Sequence, residues 1–169
     1  MIIRKAALDD LKSIADIFAN ARKFLSEQKI DQWQGDYPRR IDAADDIENG
    51  CCYVMEIGGD IAMCMALVFG DEPTYKNIYQ GGWLTNGEYG VIHRIAASDK
   101  FRGNTHASDM FDFAGAEALK RNINSLRIDT HKDNKPMLKA LSKAGFEYCG
   151  IIYVEDNTQR LAFEKILKQ

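Results

Sequence analysis

Along this 169-residue chain the spacing of hydrophobic positions switches repeatedly between two and about 3.6 residues, which predicts strands alternating with helices. A short strand is expected around Ile2 to Lys5. Leu11, Ile14, Ile17, Phe18 and Ala21 then recur at helical spacing, and Asp9 and Asp10 suit the positive end of a helix reaching about Leu25. A looser stretch with Trp33, Gly35 and Tyr37 follows. Pro38 sits where a second helix can begin and Asn49-Gly50 where it can end, with a narrow apolar stripe of Ile41, Ala44 and Ile47 between them. Cys52 to Ile57 and Ile61 to Phe69 flank Gly58-Gly59-Asp60, a hairpin signal. The second of these strands is nearly all apolar, which places it centrally in a sheet.

A polar and aromatic excursion through Tyr75, Tyr79 and Trp83 closes at Asn86-Gly87, and a strand is expected from Glu88 to Ala97. A helix over roughly Thr105 to Lys120 carries Ala107, Met110, Phe111, Ala114 and Ala118 on its apolar face. Ser125 to His131 reads as a strand, Asp133-Asn134 as a capping region, and Pro136 as part of the first turn of a short helix ending near Ala144-Gly145. Strands Phe146 to Val154 and Gln159 to Ile166 enclose a turn at Glu155 to Thr158. The order is β, two helices, three strands, helix, strand, helix, hairpin. This is a mixed α/β (α+β) chain whose length suits one domain spanning residues 1–169.

Composition narrows the function classes. A formal charge of -3, from 25 acidic and 22 basic residues, gives no overall field for nucleic acid, so an anionic ligand must be held locally. The N-terminal MIIRKAALDDLKSI does not read as a signal peptide, and the longest apolar run, Ile61 to Phe69, falls short of a membrane span. Cysteines 51, 52, 64 and 149 lack paired CxxC spacing, and the two adjacent ones cannot share an ordinary disulfide. A reducing, cytoplasmic setting without a metal site is the expectation.

The most informative stretch is the strand 88–97 feeding through Arg102-Gly103-Asn104-Thr105-His106-Ala107 into a helix. A helix start exposes backbone N–H groups and the positive end of the peptide dipoles, which suits diphosphate oxygens. Gly103 permits close backbone approach and Arg102 adds charge. The same Arg-Gly pair is also compatible with a plain turn.

Taken with the order of elements, these residues resemble the Gcn5-related N-acetyltransferase (GNAT) superfamily over nearly the whole chain. That family's strand-loop-helix carries Arg/Gln-x-x-Gly-x-Gly/Ala. Arg102 and Ala107 match its first and last positions, while Thr105 replaces the middle glycine. A second match runs from Asn134 to Phe146, ending in Lys143-Ala144-Gly145-Phe146. The resemblance implies a mostly antiparallel twisted sheet flanked by helices, acetyl-CoA as acyl donor, no metal, and direct attack of a neutral amine on the thioester. It assigns the diphosphate to Arg102, Gly103, Asn104, Thr105, His106 and Ala107, and the pantetheine and thioester oxygen to backbone groups of Ile95, Ala96 and Ala97. Asn134 contacts the cofactor in this reading, and is a helix cap on its own chemistry.

The proton-transfer groups stay open. Leu141 stands where many relatives have a thiolate-protonating tyrosine, so Tyr148 or Tyr153 on the next strand, or water, is left for that role. Val91 occupies a position where some relatives place a base. His93, alternating with Val91 and Ile95, has the right proton affinity, although a structural histidine fits equally; Glu88 is its rival. Arg94 reads either as a partner for a substrate carboxylate or as solvated, and His131 beside Asp133 as a loop-packing residue. Trp33, Tyr37, Tyr75, Tyr79 and Trp83 either wall the acceptor side or seal the core. The amine acceptor, on a small molecule or a peptide, is unassigned. The apolar C-terminal hairpin suits either the core or a homodimer seam, and the resemblance makes a homodimer reasonable.

Overall fold

A computed structural model describes residues 1–104 and 106–168. Its elements are β1 (Ile2–Lys5), α1 (Leu11–Glu27), α2 (Arg40–Glu48), β2 (Cys52–Ile57), β3 (Asp60–Phe69), β4 (Gly90–Ala97), α3 (His106–Leu119), β5 (Ser125–Thr130), α4 (Lys135–Lys143), β6 (Glu147–Tyr153) and β7 (Gln159–Ile166). The strand order is β1-β2-β3-β4-β5-β7-β6. The pairs β1·β2, β2·β3, β5·β7 and β6·β7 are antiparallel, while β4 and β5 run parallel. This is the mixed, mostly antiparallel sheet with flanking helices that the family resemblance implies. By internal contacts the chain divides into two compact units, Met1–Leu67 with His93–Met110 and Val68–Ile92 with Phe111–Gln169.

In the first unit the apolar face of α1 supplies Ile14, Ile17 and Phe18 to a core completed by Ala43, Cys52, Val54, Cys64 and Ala96. Gly58 and Gly59 adopt φ values of 61° and 86°, the left-handed pair that a two-residue hairpin requires for strands of right-handed twist. β3 lies between β2 and β4, as its apolar run predicts. The start of α2 differs from expectation: it begins at Arg40, not Pro38. The Asp42 carboxylate accepts the Arg39 N–H at 2.6 Å, so the side chain at the third helical position, rather than the proline, defines the first turn. At the other helix, Asp10 accepts from Arg4 at 2.7 and 3.0 Å and from the Ala7 N–H at 2.8 Å, tying β1 to the turn before α1.

In the second unit Tyr75, Val91, Ile152 and Ala162 form a buried cluster joined by Ile78, Trp83, Tyr89 and Val154. Tyr79 pairs with Ile151 through two 2.8 Å backbone hydrogen bonds, and the Gly82 N–H donates to Cys149 at 2.8 Å. A side chain at Gly81 would come within 2.0 Å of the Cys149 carbonyl, so the approach of this segment to β6 depends on glycine. Most hairpin residues face the core: Ile151, Ile152 and Phe163 are buried, whereas Tyr153 is exposed. Among the described residues no helix is long and apolar enough to cross a membrane. The four cysteines are free thiols.

Candidate active site

β4 is the strand on which the sequence places most of the chemistry, and its backbone is not regular. Arg94, a non-glycine residue, has φ 51°. The left-handed conformation interrupts the extended backbone, so the expected simple alternation of Val91, His93 and Ile95 on one face does not hold through this point. Ile95 and Ala96 beyond it are buried, Ala97 is half-buried, and the Ser98 N–H donates to the Ala62 carbonyl at 2.9 Å.

The Arg94 side chain is half-buried and already paired. Its Nε donates to Asp46 Oδ2 at 2.7 Å and Nη2 to Oδ1 at 2.6 Å, a bidentate pair with α2, while Nη1 donates to the Tyr37 hydroxyl at 2.8 Å. Opposite charge at this distance neutralises the guanidinium locally, and the fork geometry fixes its plane.

After β4 the chain makes a tight turn over Asp99–Phe101. The Phe101, Arg102 and Asn104 N–H groups donate to the carbonyls of Ser98, Asp99 and Phe101 at 3.0, 3.4 and 3.3 Å. Gly103 follows with φ 85°, a conformation that side-chain-bearing residues rarely adopt, and a Cβ built there meets nothing within 4 Å. Glycine is needed here for backbone conformation, and the space beyond it is open. Gly103 and Asn104 are exposed immediately before α3. Arg102 pairs with Asp99 and lies over the Phe24 ring at 4.5 Å. His106 and Ala107 begin the helix, with His106 Nδ1 3.4 Å from the Asp109 carboxylate. The expected contact of Thr105 lies outside the described residues.

His93, Ile95, Ala96, Ala97, Arg102, Gly103, Asn104, His106 and Ala107 thus all fall in the first unit. Glu88, Asn134 and Tyr148 fall in the second. Glu88 is exposed and precedes the strand, which starts at Gly90. Asn134 is the cap of α4, its Oδ1 accepting from the Met137 N–H at 3.3 Å. Tyr148 is half-exposed and meets the Phe163 ring edge-on at 5.8 Å. Leu141, at the position where many relatives carry a tyrosine, is fully buried and part of the core. The His131 Nδ1 accepts from the Asp133 N–H at 3.1 Å, the loop-packing role expected of it.

Of the aromatic residues, Tyr75 is buried and donates its hydroxyl to Asp129 at 2.7 Å, and Trp83 donates to the Tyr75 carbonyl at 2.9 Å. These two seal the core. Trp33 meets Phe18 edge-on, and Tyr79, half-exposed, meets Tyr153.

Sequence reasoning missed Asp46 and the buried pair Arg127 and Glu164. Glu164 accepts from the Leu84 N–H at 2.6 Å, Thr85 Oγ1 at 2.6 Å, Ser125 Oγ at 2.5 Å and Arg127 Nε at 3.3 Å. Arg127 sits between the rings of Trp83 and Tyr89, 4.2 and 3.9 Å from their centroids, and donates to the Thr85 carbonyl at 2.6 Å. A charged residue within an apolar strand was the available signal, but its partners are distant in sequence.

A mixed sheet of this order, with a glycine turn leading from an irregular central strand into a helix, defines the acyl-CoA N-acyltransferase fold. The chain belongs to the acetyltransferase (GNAT) family, whose model matches residues 18–146. It is similar to a GNAT-family acetyltransferase from Streptococcus agalactiae, with 34% identity, 99% of this chain and 96% of that chain covered, and a TM-score of 0.90. A GNAT-family acetyltransferase from Listeria monocytogenes shares the fold at 21% identity and TM-score 0.75, covering 98% of this chain and 94% of that one. So does a structure from Clostridium acetobutylicum described as a "predicted acetyltransferase with acetyl-CoA", at 24% identity and TM-score 0.58, covering 86% of this chain and 89% of that one. No match was found among curated proteins.

Proposed function

We propose that residues 1–169 form one acetyltransferase domain that moves the acetyl group of acetyl-CoA directly to an amine of a small molecule or peptide. The observation that carries this reading is the Arg102–Ala107 stretch, where Gly103 at φ 85° and open space above it precede a helix start within a chain of this family. The positive end of the α3 dipole suits a diphosphate, and Arg102, now paired with Asp99, adds its charge by exchanging that carboxylate for the ligand. Among the described residues no group of three or more His, Cys, Asp or Glu is placed to hold a metal.

In the proposed reaction the neutral amine nitrogen attacks the thioester carbonyl carbon. The C–N bond forms, the C–S bond breaks, the nitrogen loses a proton and the departing thiolate gains one. Backbone groups of Ile95, Ala96 and Ala97 align the pantetheine and polarise the thioester oxygen, which needs no nucleophilic side chain. The thiols support a direct route: burial pushes Cys51 up to about 11 and Cys52 up to about 12, with nearby Asp46 adding to both, so neither is an activated thiolate near neutral pH. His93 is the favoured base, with Glu88 its rival; Tyr148 is the candidate proton donor to the thiolate, since Leu141 has no proton to give. Asn134 contributes to donor binding from the cap of α4.

The buried Leu141 motivates a second reading, an acetyl-CoA-binding protein without turnover. An amine panel incubated with acetyl-CoA and read by mass spectrometry separates the two. Acetylated products on at least one amine class are expected; donor binding without any product leaves the binding-only reading.

A further inference from the structure

β4 carries a side-chain-bearing residue at φ 51° immediately before the segment assigned to the thioester. Such a conformation persists only where its surroundings over-determine it. Here the surroundings are specific: Asp46, nearly buried on α2, grips Arg94 through both carboxylate oxygens, and Tyr37 takes a third guanidinium hydrogen. Asp46 is itself held from behind, its backbone carbonyl accepting from the Cys51 N–H at 3.0 Å and lying 3.4 Å from the Cys51 thiol. For stability alone, an apolar pair on a regular strand would serve as well as this ion pair. An irregular strand position redirects the groups that follow it.

We propose that Asp46, Arg94 and Tyr37 form a positioning latch. The ion pair holds Arg94 in its left-handed conformation and so sets the direction of the Ile95, Ala96 and Ala97 peptide groups that align the thioester. This rests on the acetyltransferase reading above. None of the three residues touches the reacting atoms in this account; each acts through the backbone.

The test separates backbone conformation from charge. Asp46→Asn should lower kcat 10- to 100-fold with acetyl-CoA affinity changed by less than about threefold, because small misplacement of reacting groups costs rate more than binding. In the Asp46→Asn background, where no buried carboxylate is left unpaired, Arg94→Gly should be about tenfold faster than Arg94→Ala, since glycine takes positive φ without strain and alanine does not. Equal rates for the two double variants at equal folded fraction would overturn the latch, as would a loss from Asp46→Asn that lies wholly in KM. If the wild-type protein acetylates no amine, the acetyltransferase reading falls. The latch is then judged from the amide chemical shifts of Ile95, Ala96 and Ala97: return toward wild-type positions in the glycine double variant alone supports it, and equal displacement in both refutes it.

Discussion

Two arginine–carboxylate pairs, one in each unit, use the same chemistry for different ends. Arg94 and Asp46 meet in a bidentate fork at 2.6 and 2.7 Å, and each answers most of the other's charge. Arg127 and Glu164 are more deeply buried, with side-chain exposures of 5% and 0%, yet touch through one 3.3 Å contact. There the carboxylate is satisfied by Leu84, Thr85 and Ser125, and the guanidinium by two ring faces and a carbonyl. The second arrangement distributes its partners over the segment before β4 and over β5 and β7, so it clamps a loop onto a sheet. The first concentrates on a single strained strand residue. The difference teaches that a buried pair must be read from what else each partner holds: Glu164 belongs to stability, Arg94 to the geometry of β4.

Breaking the clamp should therefore have the largest effect on folding. Glu164→Ala strands Arg127 and the donors around it, and should cost about 3–5 kcal/mol in chemical denaturation, while a still-folded fraction binds acetyl-CoA normally. Glu164→Gln keeps the shape and should cost less, about 1–3 kcal/mol. It also tests the charge. Burial alone would raise the Glu164 pKa, but hydrogen bonds from Ser125 and Thr85, with the charge of Arg127, hold it below the ordinary glutamate value. A carboxylate with a lowered folded pKa stabilises the protein above its unfolded pKa, and this contribution disappears as pH falls through the folded value. Stability of Glu164→Gln should accordingly fall less steeply on acidification than that of the wild type. The smallest effect is expected at Asn134→Ala, about 1 kcal/mol from loss of the cap bond to the Met137 N–H, seen as a modest drop in Tm. If that variant also weakens donor binding well beyond the effect of fraying α4, Asn134 acts on the ligand as well as on the helix.

The elements were legible because local patterns dictate them. The Gly58-Gly59 hairpin, the apolar face of α1 and the Asn134 cap each depend on neighbours a few residues away, and each is found as expected. Gly103 was legible as a loop glycine, and its φ of 85° adds a conformational need that the sequence did not show. Arg94 was not legible: nothing in Val91 to Ala97 calls for a left-handed residue, and its partner Asp46 lies 48 positions earlier. Glu164 was hidden for the same reason. Hydrophobic periodicity reports which face is buried, not which charged groups meet across the fold, and the positions missed are those where long-range pairing overrides local preference.

The central claim, that the glycine turn before α3 receives the diphosphate of acetyl-CoA, is tested most directly by isothermal titration of acetyl-CoA into the wild-type protein and Gly103→Pro. Proline cannot take φ 85°, so the turn must change while the open surroundings of Gly103 give no steric reason for the rest to unfold. Saturable binding by the wild type, weakened at least about tenfold in the variant with little change in Tm, is the expected result. No binding by the wild type, or equal affinity in a folded Gly103→Pro protein, would contradict the account.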